Sequence, residues 1–375
     1  MHLFERSTHS GKLERWLGVD QVEQISKSMK NWYGTPIGIA GVPGNVWACK
    51  GGDFRGRIKA GQIGNTTDFV RDRIKRIIRN WARDQQLAAN MGFSSISDLI
   101  NEATNNGKTR VYPFQKIGPT GVTSVTSSLW RVGNQPAVGT GPGNAPGGTA
   151  FDDTSTGGFP FTNPNSPDTQ HFVRGDVLAS QNGNTLLLYD LIFGCNKTMN
   201  STATEAVTGV PTRYQSTTST AQDYAGNNFL FVQVGGTALA ATGHNWTVCQ
   251  YTDQDGDATI ALPSLTGNSG AISDRLDHPI NQWFAPLATG DTGVQKLTQM
   301  QCSAAVATGV IWFMMGHPIA FMPCPNANIV CVTDGIMTAF NLIRIFDDAC
   351  LAFLEVIKPT SVATSYNGIF QTVAG

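Results

Sequence analysis

TLLLYDLIF, residues 185–193, is a short run of branched and aromatic residues with Gly183-Asn184 before it and Gly194 after it. Such composition between turn formers predicts a β-strand. Runs of the same kind recur at 171–179, 228–235 (NFLFVQVG) and 244–252 (HNWTVCQYT). Asp255-Gly256 supplies a hairpin turn into DATIALP. Residues 109–135 alternate in a similar way, as TRVYPFQKIG and TSVTSSLWRVG. Short strands between turn clusters favour antiparallel pairing over parallel βαβ units. The expected fold is mainly β with some α: an antiparallel β-sandwich or jelly-roll-like body.

The C-terminal third divides in two. Residues 304–333 are dense in apolar residues, but Gly316, Pro318, Pro323 and Pro325 cut them into pieces too short to cross a bilayer as a helix. Buried strands are expected there, and no membrane contact. Residues 335–357, GIMTAFNLIRIFDDACLAFLEVI, are apolar on more than one helical face, which predicts a buried C-terminal helix stopped by Pro359. The tail 361–375 returns to a strand pattern.

Residues 1–110 differ in character. They hold 17 Lys and Arg against 10 Asp and Glu, a balance of +7, while residues 111–375 hold 9 against 17, a balance of −8. This region reads as a basic helical and extended arm preceding a β-rich body at 111–375. Residues 34–66 are Gly-rich and extended in pattern. The clearest helix is 68–90, with Val70, Ile74, Ile77 and Trp81 on an apolar face and Arg71, Lys75 and Arg79 on another, joined by Arg76 and Arg83. These cations suit phosphates in a sequence-blind way, or acids on a neighbouring protein. A second helix is expected over 94–104, with Ile96, Leu99 and Ile100 inward.

The chain is 14% charged, against about 25% in typical soluble domains. Low charge with abundant Gly, Thr and Asn suggests a surface covered by partners. The Gly/Pro/Thr-rich loop 136–170 has almost no hydrophobic periodicity and reads as either exposed or ordered by a neighbour. The N-terminus lacks an apolar export core. Seven widely spaced cysteines fit a reducing compartment and buried thiols better than a disulfide framework.

Chemical motifs are sparse. Asp253, Asp255 and Asp257 have the alternation of a calcium loop, but the position that should carry a bidentate acid is Ser264, so a turn is the better reading. Gly267-Asn-Ser269-Gly270 has the outline of a hydrolase nucleophile, with His244, His278 and His317 as possible partners, and reads more simply as a loop. Cys302, His317, Cys324 and Cys331 lack zinc-knuckle spacing. Arg174-Gly-Asp176 fits a strand-edge turn without any receptor. No cofactor and no enzyme activity are expected.

LYDLIF at 188–193, TMNSTATEAVTGVPTRYQ at 198–215, GHPIAFMPCP at 316–325 and TAFNLIRIFDDACLAFLE at 338–355 resemble virion structural proteins of tailed bacteriophages. The resemblance implies many symmetric copies, assembly in a bacterial cytoplasm, a place in the virion and no cofactor. A capsid-shell role follows, as coat or cementing subunit, with copies of itself and other virion proteins as partners and non-specific contact with packaged DNA. A tail, baseplate or receptor-binding module is the alternative, and a Ser269 hydrolase a second.

Overall fold

The computed structural model describes residues 93, 95–120, 123–247, 249–336 and 342–375. The chain divides into two compact units, Met1–Asn90 and Met91–Gly375, and the described residues belong to the second. The expected arm 34–66 and helix 68–90 lie outside them.

One helix, α1 (Ile96–Thr104), opens the described unit. Ser95 caps it, its hydroxyl accepting from the Asp98 amide at 3.1 Å. Leu99 is buried against Val173 and Val373. Ile96 and Ile100, expected inward, are exposed: α1 lies on a sheet through one narrow stripe, and these two fall outside it.

Eighteen strands follow among the described residues: β1 (Thr109–Ile117), β2 (Ser127–Ser128), β3 (Asn134–Gln135), β4 (Thr149–Ala150), β5 (Gln170–Ala179), β6 (Asn184–Thr198), β7 (Glu205–Ala206), β8 (Phe229–Val234) and β9 (Asn245–Trp246). Then come β10 (Gln250–Asp253), β11 (Ile260–Ala261), β12 (Leu265–Thr266), β13 (Val294–Met300), β14 (Val310–Cys324), β15 (Val330–Asp334), β16 (Arg344–Ile345), β17 (Leu351–Ile357) and β18 (Ser365–Ala374). The outer sheet has the order β15-β5-β18-β1-β3, with β16 also on β5. The inner sheet has the order β2-β17-β6-β14-β8, with β4 also on β6. A four-stranded sheet, β11-β10-β13-β7, and the pair β12-β9 complete the body. Adjacent strands pair antiparallel throughout, as the turn-bounded runs predict; β10 and β11 form the hairpin around Gly256.

The two large sheets pack face to face. Tyr112, Phe114, Val177, Tyr366 and Phe370 from the outer sheet meet Leu186, Leu188, Ile319 and Phe353 from the inner one. Phe159, from the long loop, stands edge-on to both Phe353 (5.4 Å) and Phe370 (4.8 Å). Each such side chain contributes about 1.5–3 kcal/mol by leaving water.

β6 and β14 pair along their whole length, from Thr198↔Val310 to Asn184↔Cys324. Both faces of β6 are covered. Leu186 and Leu188 face the sandwich, while Leu187, Tyr189 and Leu191 pack with Trp130, Phe151 and Leu276 on the far side. This explains why TLLLYDLIF carries apolar side chains at nearly every position. Opposite β14 the register shifts between Leu191 and Phe193, leaving Ile192 as a bulge. Beyond it the sheet meets a third cluster with Trp246, Tyr251 and Leu297 from the small sheets. Gly316 sits at the crossing, where a Cβ would come within 2.6 Å of the Tyr189 ring.

The C-terminal helix expected at 335–357 is not formed by its described residues. Arg344–Ile345 and Leu351–Ile357 are strands, and Asp348 between them has φ +60. β17 lies between β2 and β6, with Phe353 in the sandwich and Ala352, Leu354 and Val356 on the opposite face. A strand buried on both faces is apolar all round, as a helix buried on all sides would be.

Loop 136–170 is fastened to its own chain at several points, while many of its residues are exposed. Phe151, Phe159 and Phe161 are buried, and the Trp130 indole donates to the Thr140 carbonyl at 2.8 Å. Gly139 passes so close to Trp130 that a Cβ would lie 2.2 Å from the ring.

Candidate functional site

Among the described residues, the outward face of the outer sheet carries exposed apolar side chains on several strands. On β1, Tyr112, Phe114 and Lys116 turn inward while Val111, Pro113, Gln115 and Ile117 are exposed. Strand register carries this face across the sheet. Pro113 is opposite Ile369, Ile369 opposite Asp176, and Asp176 opposite Val332. The next row runs Gln115, Asn367, Leu178, Val330. Val111, Val330 and Val332 are each at least half exposed.

Asp176 is the charged residue of these two rows, and Arg174 from the adjoining row pairs with it. The Arg174 guanidinium Nε donates to both carboxylate oxygens of Asp176, at 2.9 and 3.1 Å. Arg174-Gly-Asp176 is therefore the interior of β5, paired on both sides, not the strand-edge turn its sequence suggests.

The two edges of this sheet differ. β3 is two residues long and runs straight into Pro136. A short strand ended by proline offers little to an incoming strand. β15 is five residues, VCVTD, without proline or lysine. Among the described residues it pairs with β5 alone. An edge of this kind is a template for pairing with another chain.

The buried polar groups close on one another. Arg213 forms a two-pronged pair with Asp190, Nε to Oδ2 at 2.9 Å and Nη2 to Oδ1 at 2.7 Å, and donates to the Phe151 carbonyl at 3.0 Å. The Cys350 amide donates to the same carboxylate at 2.9 Å. Burial pushes the Asp190 carboxyl up, and Arg213 opposes that rise. Beside this pair, Tyr214 stacks flat on His317 with ring centres 3.8 Å apart. Asn228 Nδ2 donates to the carbonyls of Tyr214 and Val294, so its Oδ1 accepts from His317 Nδ1 at 2.9 Å. Burial holds the His317 imidazole down at about 3, so the ring is neutral. The Glu355 carboxylate accepts from Tyr366 Oη at 2.6 Å and Lys358 Nζ at 3.2 Å. The Lys116 ammonium donates to the Val132, Pro136 and Ala137 carbonyls at 2.8, 2.7 and 3.4 Å, and desolvation brings its pKa down to about 8. These groups tie loops to strands. Most of the partners stand far apart in the chain, so no local sequence pattern marks them.

Ser269 does come near His244 and Asp277, but not as a nucleophile. Its hydroxyl donates to the Thr242 carbonyl at 3.0 Å. His244 Nε2 is on Asp277, and Nδ1 is on that same Thr242 carbonyl. Neither ring nitrogen is left to take a proton from Ser269. Asp253, Asp255 and Asp257 form a turn: Asp253 Oδ1 accepts the amides of Asp255 and Asp257, each at 2.9 Å. Cys302 and Cys324 sit in different apolar clusters. Among the described residues no group of three His, Cys, Asp or Glu side chains is placed to hold a metal ion. Among the same residues no helix is long and apolar enough to cross a membrane. Val70, Ile74, Ile77 and Trp81, with Arg71, Lys75, Arg76, Arg79 and Arg83, lie outside the described residues.

No protein-family model matches the chain, and no curated protein matches it. Among solved structures, the VP1 pentamer of Washington University polyomavirus aligns with 72% of this chain and 96% of its own, at 10% identity and a TM-score of 0.18. VP2 from the infectious bursal disease virus subviral particle aligns with 71% of this chain and 80% of its own, at 9% identity and a TM-score of 0.14. TM-scores this low do not establish a shared fold.

Proposed function

We propose that this chain is a structural subunit of a virus particle, and more narrowly a capsid-shell protein of a tailed bacteriophage, as coat or cementing subunit. The observation that carries the reading is the outer sheet. Its exposed face bears Val111, Ile117, Val330 and Val332, and its edge strand β15, which carries no proline or lysine, pairs with β5 alone among the described residues. A lone soluble domain usually guards such an edge with charge or proline. A subunit that meets neighbours covers it instead, and repeated symmetric contacts of about 1,200–2,000 Å² each build a closed assembly. The low charge of the chain agrees with this, as does its resemblance to phage virion proteins. The buried pairs around Asp190, Glu355 and Lys116 support a scaffold role, since they secure loops and strands.

In this reading the partners are further copies of the chain and other virion proteins. Assembly takes place in the bacterial cytoplasm. The apolar positions Val70, Ile74, Ile77 and Trp81 pack against a neighbour. Arg71, Lys75, Arg76, Arg79 and Arg83 meet either the acidic body of a neighbouring copy or packaged DNA. A receptor-binding role would call for mobile, exposed loops, and loop 136–170 is pinned to the core through Phe151, Phe159 and Phe161.

The test is negative-stain microscopy with sedimentation velocity on the purified full-length chain over a hundredfold concentration range. Shells, rings or discrete oligomers are expected. A monomer at every concentration, in low and in moderate salt, overturns the reading.

A further inference from the structure

β14 leaves the inner sheet at Cys324, and β15 enters the outer sheet soon after at Val330. The short connection between them is fixed at several points. The Ala327 amide donates to Asn182 Oδ1 at 2.6 Å, the Asn328 amide to the Ala179 carbonyl at 2.8 Å, and the Pro325 carbonyl accepts from the Gly183 amide at 3.1 Å. The strand ends therefore run back past each other, and Thr333 Oγ1 reaches the Phe321 carbonyl at 3.4 Å. Cys331 and Cys324 lie between that contact and the turn.

Both thiols point into the same end of the sandwich. Cys331 is opposite Val177, whose side chain faces the core, and packs against the cluster that contains Cys324. Cys324 Sγ donates to the Met322 carbonyl at 3.8 Å and Cys331 Sγ to the Ile329 carbonyl at 3.6 Å, and Cys331 is close enough to raise the Cys324 pKa. Both are free thiols in this structure. Cys331 is partly exposed, whereas the other described cysteines, Cys195, Cys249, Cys302, Cys324 and Cys350, are buried.

We propose that Cys324 and Cys331 are a redox pair that closes into an intrachain disulfide when the protein meets a small-molecule disulfide, fastening β15 to the end of β14. The partly exposed Cys331 reacts first. Its thiolate attacks one sulfur of the small disulfide, whose S–S bond breaks and releases one thiolate. The Cys324 thiolate then attacks Cys331 Sγ and displaces the second small thiolate. The two cysteines are oxidised by two electrons, and the small disulfide is reduced to two thiols, which take up the two cysteine protons. Burial pushes the Cys324 thiol up to about 12, so the second step is the slow one and quickens as pH rises. The bond would bridge the two sheets at the open edge. The inference is independent of the assembly reading, because a monomer has both sulfurs.

The experiment treats native full-length protein with oxidised glutathione at pH 8, quenches in acid, unfolds, alkylates with N-ethylmaleimide and maps the products by mass spectrometry. A single tryptic peptide follows Lys296 and ends at Arg344, and it holds Cys302, Cys324 and Cys331. The expected product is this peptide short of two hydrogens, alkylated at Cys302 alone. Exchange of the β15 amides should slow at least tenfold on oxidation and recover with dithiothreitol. Cys331→Ser should abolish both effects. Glutathione retained on Cys331 with Cys324 alkylated, or alkylation of both, overturns the proposal. So does oxidation that leaves β15 exchange unchanged.

Discussion

His244 and Asp277 form a buried pair in which the imidazole has an oxygen acceptor at each nitrogen. Nε2 is 2.9 Å from Asp277 Oδ2, and Nδ1 is 2.9 Å from the Thr242 carbonyl. Only the doubly protonated ring donates to both. Asp277 also accepts from the Trp246 indole at 2.6 Å and the Asn268 amide at 2.6 Å. Gly267 makes room for the ring, since a Cβ there would lie 2.2 Å from Nε2. One carboxylate thus ties the 244–246 stretch and the Asn268 turn to the segment of Asp277.

This pair predicts a pH dependence. Desolvation works against the charged imidazole, but the Asp277 hydrogen bond and charge, with the Thr242 carbonyl, outweigh it and raise the His244 pKa. A raised folded-state pKa stabilises fully below the unfolded value of about 6.5, and that stabilisation is lost as pH climbs through the folded value. Thermal unfolding followed from pH 5.5 to 9 should show the midpoint falling above about pH 6.5. His244→Gln should remove that slope and lower the plateau at the acid end. An unchanged slope in the variant would show that the ring is neutral.

The Asp190–Arg213 pair makes a sharper prediction about stability. Both side chains are nearly inaccessible, and the carboxylate has only Arg213 as a cationic partner among the described hydrogen bonds. Arg213→Met should cost about 3–5 kcal/mol, because it strands a buried charge. The double change Asp190→Leu with Arg213→Met should recover much of that loss. Urea denaturation of the parent and the two variants measures both quantities, and a double variant as unstable as the single one refutes the charge argument.

Gly157 is constrained twice. Its φ is +103, and a Cβ there would lie 2.2 Å from the Gly139 Cα. Gly157→Ala should therefore cost about 2–4 kcal/mol, from backbone strain and overpacking together. The neighbouring Gly147, whose Cβ would meet nothing within 4 Å, should accept alanine within about 0.5 kcal/mol. Chemical denaturation of the two variants side by side checks the contrast.

The body was legible where local pattern and tertiary role agree. The hairpin around Asp255-Gly256, the strands at 171–179 and 185–193, and the strand-like tail all stand as their residues suggest. Residues 335–357 misled because period and burial compete. Phe353 and Leu354 are both apolar, one for each face of β17, and adjacent apolar residues also suit a helix buried all round. The buried pairs were illegible for a different reason. Asp190 and Arg213 are 23 residues apart, and Tyr366 meets Glu355 only once β18 and β17 lie in separate, packed sheets. No spacing rule encodes such meetings.

Val332 separates the role of the outer sheet in assembly from its role in folding. It is 53% exposed, opposite Asp176, in the middle of the edge strand β15. A lysine there removes no buried contact, so Val332→Lys should leave unfolding free energy within about 0.5 kcal/mol of the parent. On an edge strand the same charge should block pairing with another chain. The expected result is loss of oligomers in sedimentation velocity with an unaltered thermal midpoint. Val362→Lys is the control: Val362 is equally exposed, at 54%, but lies in the connection between β17 and β18. If both lysines leave assembly intact, the contacts lie elsewhere on the subunit. If both abolish it, added charge is acting generally and the edge has no special part.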